Sequence, residues 1–183
     1  MEVFMDAGCI VGPCTCGPNT ANPHAVPSDR VIEKGDFVLM DYGAGYCDYR
    51  SDMTRTVVMG EPTQEQVDLY ALVRRTHEEC VAAIHPGVEG NDIFKLSKKI
   101  IGDAGYGDYY NHGLGHGVGI DIHELPNFNR SKNTIEVGSV VTMEPGVYLP
   151  GVGGVRLEDY GVVTENGYEP FTKTPHDLHI IDC

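Results

Sequence analysis

Residues 35–43 read GDFVLMDYG, and residues 138–146 read GSVVTMEPG. In each stretch a glycine precedes a short apolar strand, and a carboxylate lies six residues after that glycine. The carboxylate is Asp41 in the first stretch and Glu144 in the second. Each stretch continues through a turn that contains Gly and Tyr into a second apolar strand. The chain is therefore predicted to contain two hairpin-like copies of one unit.

Each second strand begins with another carboxylate, Asp52 in the first copy and Glu158 in the second. Because an antiparallel hairpin brings opposite side chains within about 4.5–5.5 Å at Cβ, each hairpin is expected to bring its two acids together. If the copies pack about a pseudo-twofold axis, all four acids meet, and uncompensated carboxylates repel one another. The pattern therefore predicts a cation site.

Helices are predicted between the two hairpins. Residues 63–66 form a capping box that begins an amphipathic helix ending near Ile84, and a second helix covers about residues 91–104. The second copy is thus two helices followed by strands, whereas the residues before Gly35 read as extended or loop. We therefore expect a first half of about residues 1–62, without its N-terminal helices, and a second half of about residues 63–183.

Histidines cluster in residues 112–126, which read HGLGHGVGIDIHELP. The glycines disfavour a helix, so a strand or extended loop is predicted. On a strand His112 and His116 share one face, whereas His123 lies elsewhere unless a bulge intervenes. One metal ligand with two neighbours is the prediction, and an exposed loop position for His24 stays an equal alternative on local grounds. No chemistry is predicted for the histidines at positions 77, 85, 176 and 179.

Composition excludes several classes of protein. The formal net charge is −14 with 13 Lys and Arg, which disfavours a nucleic-acid partner. No apolar run approaches the roughly 20 residues of a membrane span, and no export signal is recognised, so a soluble cytoplasmic protein is expected. The six scattered cysteines are predicted to be reduced thiols. They are Cys9, Cys14, Cys16, Cys47, Cys80 and Cys183.

The sequence resembles the pita-bread metallopeptidases, which include Xaa-Pro aminopeptidases, prolidases and, more distantly, methionine aminopeptidases and creatinase. Five blocks occur in the family's order: GPNTANPH at 17–24, DYGAGYCDYRSDMTRTV at 41–57, HGLGHGVGIDIH at 112–123, TMEPGVY at 142–148 and VRLED at 155–159. Five ordered blocks are stronger evidence than any single motif. The resemblance implies an α+β pita-bread fold with a pseudo-twofold repeat, in which helices cover a curved antiparallel sheet. Residues 1–183 would form one metallopeptidase catalytic domain that is incomplete at its N-terminus.

Carried over by position, the resemblance implies five metal ligands, with Asp52 bridging or nearly so. They are Asp41, Asp52, His116, Glu144 and Glu158. Glu144 is also expected to move a proton to and from the attacking water, while His123 and His24 donate hydrogen bonds to the oxyanion. His24, His112 and His123 are expected to line the substrate site, and Arg156 to orient that region.

One histidine and four carboxylates make an oxygen-rich site that suits two divalent ions, with Mn²⁺ expected first and Co²⁺, Fe²⁺ or Zn²⁺ as alternatives. The predicted activity is that of an Xaa-Pro aminopeptidase. The alternatives are an Xaa-Pro dipeptidase (prolidase) and a catalytically silent pita-bread binding module or fragment. The expected partners are a proline-containing peptide or dipeptide and a second copy of the chain in a homodimer, with no nucleic acid and no membrane.

Overall fold

The computed structural model describes residues 8–182, with side chains from residue 14 onward. The first copy contributes strands, which are β1 (Gly8–Cys16), β2 (Phe37–Tyr46), β3 (Tyr49–Arg50) and β4 (Met53–Met59). The two helices follow, α1 (Gln64–Ala82) and α2 (Gly90–Asp103), with the short strand β5 (Val88–Glu89) between them. The remaining strands are β6 (Gly115–Gly117), β7 (Glu124–Phe128), β8 (Thr134–Ile135), β9 (Val140–Met143), β10 (Gly146–Leu149), β11 (Gly153–Arg156), β12 (Asp159–Thr164), β13 (Gly167–Pro170) and β14 (Ile180–Ile181). Short 3-10 helices cover Gly17–Ala21 and Gly107–Tyr109.

The two predicted helices form close to their predicted positions. The backbone N–H of Gln66 donates to Oγ1 of Thr63 at 3.2 Å, and Oε1 of Gln66 accepts from the backbone N–H of Thr63 at 2.9 Å. This reciprocal capping box satisfies two donors that a helix start otherwise leaves unpaired. α1 ends two residues before the predicted end at Ile84, and α2 begins and ends one residue earlier than predicted.

Two sheets repeat one arrangement of strands. The first sheet has the order β1-β2-β4-β14, and the second has the order β13-β12-β9-β6-β7. In the first sheet, β2 leads to the first carboxylate and lies between its antiparallel neighbours β1 and β4. In the second sheet, β9 does the same and lies between its antiparallel neighbours β6 and β12. The repeated sequence pattern therefore corresponds to a repeated strand arrangement, as predicted.

The two sheets meet where β4 passes the residues around Glu158. The backbone N–H of Glu158 donates to the carbonyl of Thr54 at 3.1 Å, which forms an antiparallel bridge between these residues. Next to it, Oγ1 of Thr56 donates to the carbonyl of Arg156 at 3.0 Å and accepts from its backbone N–H at 3.2 Å. These contacts bring the second carboxylate of each copy to the line where the sheets meet.

The helices cover these sheets, and a continuous apolar core lies between them. Its fully buried side chains come from both helices and both sheets, and they include Phe37, Leu69, Ile101, Met143 and Leu157. The thiols of Cys14, Cys16, Cys47 and Cys80 are free, as predicted, whereas the predictions for Cys9 and Cys183 lie outside the described side chains. Within residues 8–182, no helix combines the length and the apolar composition that a membrane span requires.

Candidate metal centre

The first pair of carboxylates lies on one face of the first sheet. Asp41, on β2, pairs with Thr54 on β4, and Asp52 lies two residues before Thr54. Side chains two residues apart on a strand share a face, so Asp41 and Asp52 are diagonal neighbours. The hairpin pattern predicted that Asp41 and Asp52 lie directly opposite each other. The observed register instead makes them diagonal neighbours, for which Cα separations are about 7–8 Å.

The second pair is directly opposed. Met143 at the end of β9 pairs with Asp159 at the start of β12, so one further step of this register sets Glu144 opposite Glu158. Oε2 of Glu158 accepts a hydrogen bond of 2.6 Å from Oγ1 of Thr54, which fixes this carboxylate against the first sheet.

His116 on β6 brings an imidazole to the two pairs. Its Nε2 lies 3.7 Å from Oδ2 of Asp52 and 3.3 Å from Oε1 of Glu144. Asp52, His116 and Glu158 each offer a ligand atom within 4.8 Å of the others. Because Nδ1 of His116 lies 3.0 Å from the carbonyl of Gly117, we assign the ring proton to Nδ1 as the donor of this bond. This tautomer leaves the Nε2 lone pair facing the carboxylates.

The carboxylates of the site carry more negative charge than the guanidinium of Arg156 balances. Burial, followed by repulsion from Asp41 and Glu144, raises the pKa of Asp52 to about 7. Burial, followed by repulsion from Asp52, raises the pKa of Glu158 to about 8, and burial together with Glu158 raises the pKa of Glu144 well above its ordinary value. Burial lowers the pKa of His116 to about 4, so its ring is neutral at pH 7. Closely spaced carboxylates and a neutral imidazole are the donors that divalent metal ions require, so these residues fit such ions.

Arg156 is the guanidinium that faces this site. Its Nη2 donates to Oδ2 of Asp41 at 2.5 Å, and its Nε donates to Oγ1 of Thr54 at 3.1 Å. Its Nη1 donates to the hydroxyl of Tyr148 at 3.2 Å and to the carbonyl of Pro23 at 3.3 Å. Arg156 therefore connects the first carboxylate to β10 and to the loop that carries His24.

Tyr148 is a site residue that the sequence analysis missed. Its hydroxyl lies 2.8 Å from Nε2 of His112, while Nδ1 of His112 lies 2.6 Å from the carbonyl of Gly113. With the proton assigned to Nδ1, the tyrosine hydroxyl donates to Nε2. Burial lowers the pKa of His112 to about 3, so this ring is also neutral. A buried tyrosine needs a hydrogen-bond partner, which the cleft supplies here. The place of Tyr148 in the block TMEPGVY was the signal from which its role in the site could have been predicted.

His123 lies beside His116, with ring centroids 4.3 Å apart. The strands β6 and β7 pair antiparallel with a register shift between Gly115 and Gly117, so an irregularity of the kind anticipated for His123 is present. One cleft of about 660 Å³ is lined by all nine residues that the sequence analysis selected. They are His24, Asp41, Asp52, His112, His116, His123, Glu144, Arg156 and Glu158.

Comparison with known proteins gives a consistent result. Residues 4–165 match the model of metallopeptidase family M24. Over 163 residues the chain is 45% identical to an Xaa-Pro dipeptidase from Pyrococcus furiosus, an alignment that covers 88% of this chain and 47% of that protein. The chain therefore spans about half the length of the curated relatives it matches.

Solved structures share the fold. The prolidase from Pyrococcus horikoshii OT3 superposes with a TM-score of 0.88 at 41% identity, over 91% of this chain and 48% of that one. An X-Pro aminopeptidase from Thermotoga maritima superposes with a TM-score of 0.89 at 34% identity, over 94% of this chain and 49% of that one. These similarities confirm the predicted α+β pita-bread fold. The chain belongs to metallopeptidase family M24.

Proposed function

We propose that this chain carries the active site of a metal-dependent Xaa-Pro dipeptidase, a prolidase. The observation that carries the proposal is the convergence, in one cleft, of four carboxylates and His116 with three further histidines and Arg156. The sequence analysis put an aminopeptidase first and a dipeptidase second. Relatives named Xaa-Pro dipeptidase at 45% and 43% identity favour the dipeptidase.

The proposed ligands of two divalent ions are Asp41, Asp52, His116, Glu144 and Glu158. Their oxygen-rich donor set favours Mn²⁺ over Zn²⁺. Two ions bound there would supply Lewis acidity and bring the pKa of a water molecule toward neutrality. Arg156 holds Asp41 in place by the 2.5 Å hydrogen bond, so its proposed part is to orient a ligand.

Glu144 is proposed as the proton carrier. Its carboxylate lies in the cleft, 3.3 Å from Nε2 of His116, and its pKa is raised well above the ordinary value by burial and by Glu158. A carboxylate beside the attacking water can take its proton and later return it. The imide nitrogen of a leaving proline carries no hydrogen, so this returned proton is what allows it to depart.

Histidines are proposed to contact the substrate. His123, next to His116, and His24, which also lines the cleft, are proposed to donate hydrogen bonds to the developing oxyanion. The neutral ring of His112, held by Tyr148 and Gly113, is proposed to position the substrate.

The predicted homodimer is tested by measuring the molar mass of the chain in solution.

The proposed function is tested by comparing the hydrolysis of Ala-Pro with that of Ala-Pro-Ala in the presence of Mn²⁺. A dipeptidase should cleave Ala-Pro with a kcat/KM at least about tenfold higher, a difference of about 1.4 kcal/mol in transition-state binding. Preference for the tripeptide would instead support the aminopeptidase. Cleavage of neither peptide, with two Mn²⁺ ions bound, would contradict both and support a binding module.

A further inference from the structure

A second cluster of metal-ligating side chains lies outside the lining of the cleft. His77 on α1, Asp159 at the start of β12 and His176 in the C-terminal segment each offer a ligand atom within 4.8 Å of the others. None of the three lines the cleft described above. No chemistry was predicted for either histidine, because the two are far apart in the chain and only the fold brings them to one carboxylate.

The geometry of the three ligand atoms suits one small ion. Nε2 of His176 lies 2.6 Å from Oδ2 of Asp159, and Nε2 of His77 lies 3.3 Å from the same oxygen. In a tetrahedral zinc site with metal–ligand distances of about 2.0–2.1 Å, neighbouring ligand atoms lie about 3.3 Å apart. The His77–Asp159 distance already has this value, whereas the His176–Asp159 distance of 2.6 Å would have to lengthen by about 0.7 Å.

His77 is buried without a hydrogen-bond partner. Its side chain is 3% exposed, and neither ring nitrogen forms a hydrogen bond with any part of the chain that the structure describes. A buried polar atom that has lost water without gaining a partner destabilises the fold. Burial lowers the pKa of His77 to about 4, so the ring is the neutral form that binds metal. Its Nε2 lies 3.3 Å from the carboxylate oxygen that His176 also contacts.

The other oxygen of Asp159 is already occupied. Oδ1 accepts from Nη2 of Arg55 and from Oγ1 of Thr172, each at 2.6 Å. The guanidinium of Arg55 opposes a cation, but it also donates to three backbone carbonyls, so its charge is held on the Oδ1 side. Hydrogen bonds to the outer oxygen of a carboxylate are how proteins orient a metal ligand, and they leave Oδ2 directed at the histidines.

We propose that Nε2 of His77, Oδ2 of Asp159 and Nε2 of His176 bind one Zn²⁺ ion, separate from the peptidase centre. Two imidazoles and one carboxylate favour Zn²⁺, in contrast to the oxygen-rich cleft. His176 is 25% exposed, which gives a water molecule access to the fourth position. The ion would tie α1, β12 and the C-terminal segment together.

The test uses the full chain with the cleft disabled by Asp52→Asn and Glu144→Gln. Zn²⁺ titration of this variant should give one ion per chain, and the same variant loaded with Co²⁺ should show the intense visible absorption of a tetrahedral site. Adding His176→Ala should abolish both signals, whereas adding His179→Ala, an exposed histidine three residues away, should leave them unchanged. Absence of zinc binding in the disabled variant would overturn the proposal, as would its persistence after His176→Ala.

A second variant guards against loss of folding in His176→Ala. His176→Cys supplies another zinc ligand at the same position, so it should retain one ion per chain and add a near-ultraviolet thiolate-to-cobalt band. Zn²⁺ should also raise the Tm of the disabled variant, since an ion that binds only the folded chain stabilises it, and this rise should vanish with His176→Ala. A folded His176→Cys variant that binds no zinc would contradict the assigned ligands.

Discussion

At the scale of single residues, the site brings together carboxylates that repel one another. Hydroxyl groups and a guanidinium hold these carboxylates in position. Thr54 is the shared partner, because its hydroxyl donates to Glu158 and accepts from Arg156. Arg156 in turn holds Asp41, and Tyr148 connects Arg156 to His112. The geometry of the cleft therefore depends on hydroxyl groups as much as on its charged residues.

Replacing Glu144 with Gln keeps the size of the side chain and removes its charge. We expect kcat for Ala-Pro to fall by at least about 100-fold, because a proposed ligand and the proton carrier are lost together. Activity at saturating Mn²⁺ measures the change, and Glu136→Gln, an exposed glutamate, is the matched control. Unchanged kcat with metal still bound would show that Glu144 carries no proton.

Replacing His123 with Ala tests a different role. We expect kcat to fall about 10- to 100-fold with little change in metal content, because His123 is proposed to donate to the oxyanion and not to bind metal. Metal analysis beside steady-state kinetics separates the two effects, with the exposed His85→Ala as control. Equal loss of metal and activity would make His123 a ligand.

At the scale of elements, the sequence predicted the helices and strands that single segments form. The register and the contacts between segments became known only from the fold. The capping box at Thr63 marked the start of α1, and the repeated glycine–strand–carboxylate pattern marked β2 and β9. The diagonal placement of Asp41 and Asp52 depends on register, which the pattern of the sequence left open. Tyr148 had its place in TMEPGVY as a signal, whereas the His77–Asp159–His176 cluster could not be predicted, because it depends on contacts between distant parts of the chain.

The start of α1 gives a test at this scale. Thr63→Ala removes the hydroxyl that accepts from the backbone of Gln66, so the free energy of unfolding should fall by about 0.5–2 kcal/mol with kcat unchanged. Urea unfolding measures the loss, and Gln64→Ala in the exposed first turn is the control. Equal effects of the two substitutions would argue against the capping box.

At the scale of the whole molecule, the two copies place their acids where the sheets meet, at the cost of burying like charges. Folding alone raises the pKa of Asp52 and of Glu158, so in the metal-free chain these acids retain protons that the unfolded chain releases. Divalent ions would remove this conflict between fold and charge. The fold and the metal site are therefore expected to stabilise each other.

This coupling predicts how stability depends on pH. An acid with a raised pKa stabilises the folded chain fully below its ordinary pKa, and this contribution is lost as pH rises through the folded value, about 7 for Asp52 and about 8 for Glu158. Three buried histidines with lowered pKa values oppose the trend until their unfolded rings have lost their protons, which is nearly complete by about pH 7.5. The free energy of unfolding of the EDTA-treated chain should therefore fall by about 1 kcal/mol between pH 6.5 and 8.

Chemical denaturation at several pH values measures this fall, and the same series with saturating Mn²⁺ is the control. Metal binds the ionised carboxylates, so the metal-loaded chain should keep or gain stability over that range. A metal-free chain that becomes more stable from pH 6.5 to 8 would contradict the raised pKa values.

The central claim is that Asp41, Asp52, His116, Glu144 and Glu158 together bind two divalent ions in one cleft. The most direct measurement is anomalous diffraction at the manganese edge from crystals of the chain grown with Mn²⁺. The account predicts two anomalous peaks about 3.5–4 Å apart, surrounded by these five side chains. A single peak, or peaks with no contact to Asp52 and Glu158, would contradict it.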